Sequence, residues 1–228
     1  MINSRVDFRF IDNPGELLVP RGWRAHQSGH RGLPMFFQQC IAFVILLVLS
    51  PLLLLIFLAI RLESQGGAIY KQVRVGKHGE HFGFYKLRTM YTENDPNYVA
   101  PDASESSRDG ICLKFKKDPR ITGLGYYLRR YSLDELPQLW NVVCGQMALV
   151  GPRPALTTEV AQYALSDMAR LKVLPGITGL WQVSGRADIA FDQQLELDKR
   201  YIAEQSPFQD ILILLRTIPA VISAKGAY

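Results

Sequence analysis

Asp134 and Glu135 stand side by side in a stretch where cations outnumber acids. Between Ile111 and Pro154 there are seven Lys and Arg (Lys114, Lys116, Lys117, Arg120, Arg129, Arg130 and Arg153) against three acids, Asp118, Asp134 and Glu135. Two adjacent carboxylates amid surplus cations suit phosphoryl transfer through a metal: one acid attacks phosphorus and the other holds the cation. The string Ser132-Leu133-Asp134-Glu135 also has the form of a capping box, with Ser132 at an N-cap and Glu135 at the third helical position. On that reading the acids only stabilise a helix start through its dipole. Both readings use a helix N-terminus, which attracts phosphate and keeps a neighbouring carboxylate ionised. Spacing alone leaves both open.

A second feature follows at Gly151-Pro152-Arg153-Pro154. Prolines on either side of Arg153 restrict the backbone and suit an arginine aimed at a fixed anion, or else a plain turn. Further on, residues 175–186 (PGITGLWQVSGR) read as a glycine-punctuated loop. His78 and His81 lie in one turn, but with no third ligand near in sequence a solvated turn is favoured over a metal pair. Gly123 and Gly125 lack the third glycine of a dinucleotide fingerprint, and no Walker loop is present. Cys40, Cys112 and Cys144 are odd in number and form no Cys-x-x-Cys pair, which argues against a disulfide framework and suits a reducing compartment.

These residues need elements to position them. From Gly32 to Ile60 there is no formal charge in 29 residues, and Ile41–Ile60 holds a single Ser and a single Pro. Twenty such residues match the hydrocarbon thickness of a bilayer. Pro51 in the middle predicts a kink at Ser50-Pro51, with Ser50 returning a hydrogen bond to a freed carbonyl. Arg21, Arg24 and Arg31 precede the run and Arg61, Lys71, Arg74 and Lys77 follow it, which draws both ends to one face. A helix-break-helix entering and leaving on the cytoplasmic side and an ordinary spanning helix are both compatible with this. Two β-leaning stretches around VGKHG predict a hairpin, and Tyr91–Gly110, with five acids, reads as a loop. Phe208, Ile211, Leu212, Leu215, Ile218 and Ile222 recur at helical spacing, with core packing the default and the bilayer surface the alternative.

The whole chain of 228 residues carries a net charge of +5 and closes a core easily. A collagen, a disulfide mini-protein and a wholly disordered chain are excluded. The surplus charge fits nucleic acid, anionic lipid or a phosphorylated substrate, but no nucleic-acid motif is present.

Several strings, in order, resemble the bacterial sugar transferases, that is, the monotopic polyprenyl-phosphate phosphoglycosyltransferases. They are Ser50-Pro51 in the apolar run, YKLRTM (85–90), DPRITGLGYYLRRYSLDELPQLWNVV (118–143), LVGPRP (149–154) and LPGITGLWQVSGR (174–186). The resemblance implies an α+β monotopic membrane protein. It would have a tail (1–35), a re-entrant helix (36–60) broken at Ser50-Pro51, and a mostly helical catalytic domain (61–228) with a small hairpin on the cytosolic face of the bacterial inner membrane. The implied activity moves a sugar 1-phosphate from a UDP-sugar to undecaprenyl phosphate and releases UMP, the first membrane step of glycoconjugate or exopolysaccharide assembly. By the same resemblance Asp134 is the nucleophile, Glu135 the Mg²⁺ ligand, and Arg129, Arg153 and Lys86 phosphate contacts. The implied partners are the UDP-sugar, undecaprenyl phosphate and the lipid bilayer, without nucleic acid, and a homodimer is compatible with them. The long tail has no assignable counterpart in the family, and the 92–110 loop is longer than in its most compact members, as a lid or an insertion would be. A non-catalytic membrane scaffold and a lipid-dependent nucleic-acid binder are the rival classes.

Overall fold

A computed structural model describes residues 30–102, 115, 118–224 and 226. The expected tail up to residue 29 with Arg21 and Arg24, the 103–110 part of the acidic loop, Cys112, Lys114, Lys116 and Lys117 lie outside the described residues.

The uncharged run forms one helix, α1 (Met35–Glu63), with Pro51 inside it. Proline has no N–H, so the carbonyl of Leu47, four residues back, loses its helical donor. Ser50 replaces it: its Oγ donates to the Leu47 carbonyl at 2.8 Å. Where the sequence reading divides the segment at Ser50-Pro51, the structure keeps a single element.

Both halves of α1 rest on the same body. Toward its start, Leu33 N donates to the Asp210 carboxylate at 2.8 Å, and Gln38 Oε1 accepts from Leu149 N at 2.7 Å. Ala42 sits in a core cluster with Phe84, Leu139, Val142, Met147, Tyr201 and Ile213. Toward its end, Ile56 and Ile60 join a second cluster with Ala68, Leu87 and Leu128. Glu63 then accepts from Leu124 N at 2.8 Å, and Arg88 donates to the Ser64 carbonyl, also at 2.8 Å. The remainder of α1 turns a broad apolar face outward: Phe36, Phe43, Val48, Leu55 and Leu62 are all exposed.

The expected hairpin is present. β1 (Ile69–Val75) and β2 (His81–Leu87) pair antiparallel, with Ile69 opposite Leu87 and Val75 opposite His81. His78 lies in the connecting turn, and the described part of the following segment, Tyr91–Asp102, is indeed loop. Along β2 the two-residue alternation puts Phe82, Phe84 and Lys86 on one face. The two aromatics fill the core and Lys86 continues their line into a cavity.

Next comes α2 (Gly123–Arg130), capped by Thr122, whose Oγ1 accepts from Gly125 N at 2.9 Å. A Cβ on Gly125 would stand 2.2 Å from the Thr89 carbonyl oxygen, so this glycine is there for the close approach of α2 to the end of the hairpin. After it follow α3 (Gln138–Val143), β3 (Ala148–Val150), α4 (Thr157–Val160), β4 (Gly176–Thr178), α5 (Leu180–Ser184), α6 (Phe191–Glu204) and α7 (Pro207–Ser223). β3 and β4 pair in parallel, a pairing that three-residue strands do not announce in sequence. Among the described residues helices dominate and the strands form two two-stranded sheets, an α+β arrangement.

One expectation is overturned. The stripe on α7 does not pack in the core: Phe208, Ile211, Leu215, Ile218 and Ile222 are exposed, Phe208 to 76%, and Leu212 alone of the six is half-buried. The helix carries two apolar stripes, and Ile213 and Leu214 on the other one face the core.

Candidate active site

A cavity of about 560 Å³ opens between α1, β2, the end of α2, the loop after β3, α5 and α7. All five residues singled out for chemistry line it: Lys86, Arg129, Asp134, Glu135 and Arg153. The dyad sits on a single 3₁₀ turn, Leu133–Glu135, and Asp134 is 6% exposed.

The capping box does not form. Ser132 stands in the left-handed region (φ 54°) and its side chain caps nothing. The reason lies in the partners that Glu135 finds instead. Lys86 Nζ donates to Glu135 Oε1 at 2.8 Å and Arg153 Nη1 donates to the same oxygen at 3.1 Å. Two cations outweigh one backbone N–H, so the glutamate turns away from the chain behind it. Lys86 also stands 3.5 Å from Asp134 Oδ2.

The electrostatics of the two acids diverge. Burial disfavours ionisation of both. For Glu135 the charges and hydrogen bonds of Lys86 and Arg153 prevail and hold it well below the ordinary carboxylate range. For Asp134 burial prevails: with the Glu135 charge added, its affinity for a proton is raised despite Lys86, Arg129 and Arg153. A helix N-terminus is therefore not what governs Asp134. Arg129, its own charge disfavoured by burial, faces the cavity and feels both Asp134 and Asp118. Among the described residues it forms no ion pair with either member of the dyad.

Two sets of residues escaped the sequence reading. Arg186, with φ 56°, reaches across the cavity: its Nη2 donates to Ser132 Oγ and its Nη1 to the Ala220 carbonyl at 3.4 Å. It ties down the left-handed residue two places before Asp134. The second set is buried. Arg170 donates to the backbone carbonyl of Arg153 at 3.1 Å and to the Tyr163 hydroxyl. It also pairs with Asp198 at 2.9 Å, without the alignment of a hydrogen bond. Burial raises the Asp198 carboxyl to about 6 in spite of Arg170. A glycine-then-arginine pair at 185–186 was the signal available for the first set; nothing in the helical string LELD marks Asp198 as buried.

The family model for bacterial sugar transferases matches residues 30–224. The chain belongs to that family. Among its relatives, the exopolysaccharide production protein ExoY of Rhizobium meliloti is 40% identical over 197 residues, covering 84% of this chain and 86% of the relative. The undecaprenyl-phosphate galactose phosphotransferase of Salmonella typhimurium is 39% identical over 227 residues, covering 98% of this chain and 47% of the relative. The UDP-glucose:undecaprenyl-phosphate glucose-1-phosphate transferase of Caulobacter vibrioides is 40% identical over 187 residues, covering 78% and 66%. The chain thus spans most of the Rhizobium protein and about half the length of the Salmonella one.

Proposed function

We propose that this protein transfers a sugar 1-phosphate from a UDP-sugar to undecaprenyl phosphate, with Asp134 as nucleophile. The observation that carries this reading is the division of labour within the dyad. Lys86 and Arg153 both bind one oxygen of Glu135 and fix it as a charged support. Asp134, buried beside it, is left facing the cavity with the weaker of the Lys86 contacts, at 3.5 Å. The names of the Salmonella and Caulobacter relatives, both undecaprenyl-phosphate sugar transferases, support the reaction class.

In the first step a carboxylate oxygen of Asp134 attacks the phosphorus next to the sugar. The bond from that phosphorus to the bridging oxygen breaks, and UMP leaves with the electron pair. In the second step an oxygen of the lipid phosphate attacks the same phosphorus and the Asp134 carboxylate departs unchanged. One phosphoanhydride replaces another, so no ATP is required. Arg129, Arg153 and Lys86 offset charge on the phosphate oxygens. The donor set fits Mg²⁺ bound through one or two carboxylates together with substrate phosphate. Because both cations take Glu135 Oε1, its Oε2 is the oxygen that would hold the ion. When bound, it would supply further neutralisation of the diphosphate.

A one-sided, re-entrant path for α1 belongs to the same proposal, with the domain on the cytosolic face of the inner membrane. Its support is that one domain grips both ends of α1, from Leu33 and Gln38 to Ile60 and Glu63. A helix crossing the bilayer upright would separate those ends by the full hydrocarbon thickness. Cysteines placed before residue 31 and after residue 61 should be labelled from the same side; labelling from opposite sides would defeat the path. The proposed partners are the UDP-sugar, undecaprenyl phosphate and the bilayer, and sedimentation of the detergent-solubilised protein would decide whether it dimerises.

The central test uses the donor alone. Intact-mass analysis should show a sugar-phosphate adduct that maps to Asp134, with stoichiometric UMP. A preparation that turns over yet never acquires the adduct overturns the covalent route.

A further inference from the structure

We infer that the apolar wall of the cavity, formed by Ile45, Thr217, Ala220 and Val221, is the subsite for the first isoprene units of the acceptor lipid. This rests on the reading above, in which the acceptor is a polyprenyl phosphate. The cavity is lined by two kinds of residue. Lys86, Arg129, the dyad, Arg153 and Arg186 bring charge, whereas Ile45 of α1 and Thr217, Ala220 and Val221 of α7 bring none. A nucleotide sugar brings little apolar surface beyond the ring faces of its base, whereas an isoprenoid chain is apolar along its whole length. A lipid phosphate needs both kinds at once.

The wall is apolar in fact as well as in residue type. The one hydroxyl on it, Thr217 Oγ1, donates to the Ile213 carbonyl at 2.8 Å and lies 2.8 Å from Thr178 Oγ1. With its polar atom engaged, Thr217 offers the cavity a methyl group. Arg186 touches both kinds, since one of its nitrogens meets the Ala220 carbonyl and the other meets Ser132 beside the dyad.

What lies beyond the wall fixes the occupant. The same two helices turn apolar stripes outward. On α7 these are Phe208, Ile211, Leu215, Ile218 and Ile222, spaced by three and four residues along one face. On α1 only 6% of the most apolar window is buried. Inner wall and outer stripes share the same two helices, so one pair of elements offers an isoprenoid chain apolar surface both outside and inside the cavity. A free phosphate or a soluble acceptor would draw on the charged residues alone.

The test uses the full-length protein in detergent and a short isoprenyl phosphate bearing a diazirine near its tail. Photolysis should label Ile45 or residues 217–221 of the wild-type protein, and excess undecaprenyl phosphate should suppress the label. In parallel, Ala220→Trp should raise KM for undecaprenyl phosphate tenfold or more while KM for the UDP-sugar moves less than twofold. Labels confined to other surfaces, or a lipid KM that does not move in an active Ala220→Trp protein, would overturn the subsite. If that variant does not fold, the labelling of the wild-type protein decides alone. The two readings fail differently. A wild type that releases no UMP from any UDP-sugar removes the function, whereas a wild type that turns over with labels elsewhere removes only the subsite.

Discussion

Two clusters of arginine and acid lie back to back in this molecule and behave in opposite ways. In the first, Lys86, Arg153 and Glu135 meet at the cavity, where the side chains are 20–30% exposed. In the second, Arg170 and Asp198 are 8% and 1% exposed at the side chain. They are joined through one hydrogen bond, from Arg170 to the Arg153 carbonyl. The first cluster leaves carboxylate oxygens open and can trade partners when a diphosphate arrives. In the second, Arg170 borders the cavity but its acid, Asp198, does not, and the pair holds a backbone. Composition does not separate the two kinds of pair. Access to a ligand does.

The sharpest way to separate the clusters is to remove a carboxylate at the cavity and, separately, the buried one. Asp134→Asn should lower transfer by about 10³-fold or more and abolish the donor adduct, with an unchanged melting temperature. Next, Lys86→Met and Arg153→Ala should each cost about 10²-fold in turnover, the scale expected for loss of one donor to developing charge. An effect under threefold for either would mean that the open cluster is structural after all.

For the closed cluster the order of effects reverses. Asp198→Ala strands a buried guanidinium and should destabilise the protein by about 3–5 kcal/mol. Turnover at a permissive temperature should fall far less than in the Arg153 variant. A finer comparison uses pH. The Asp198 carboxyl is raised to about 6, so the native state binds its proton more tightly than the unfolded chain does. This acid therefore withdraws stability as pH rises from about 4 to 6. Asp198→Asn has no such titration, and its stability deficit relative to wild type should shrink over that interval. A deficit that grows with pH would reverse the assignment.

The open cluster was the more legible of the two. Residue type and adjacency point to Asp134 and Glu135, and the paired prolines single out Arg153. The geometry that joins them to Lys86, nearly fifty residues earlier, is a product of the hairpin and cannot be read locally. The capping-box pattern misleads because a local signal worth about 1 kcal/mol meets two charged partners brought in by the fold. Arg170 and Asp198 were illegible for the opposite reason: charged residues in helical segments usually face water, and only tertiary packing shows that these do not. The α7 stripe failed as a core prediction because periodicity reports that a face is apolar, not what covers it. The hairpin, the membrane-compatible helix and the Ser50 repair of the helix at Pro51 were all anticipated, since each depends on neighbours in sequence.

The grip on α1 has a practical side. Membrane anchors are commonly treated as leashes that can be cut to release a soluble enzyme. Here Ala42, Ile56 and Ile60 are bricks in two separate interior clusters, and Gln38 is mortar between the helix and Leu149. Cutting before residue 64 would pull a wall out of the building rather than untie it.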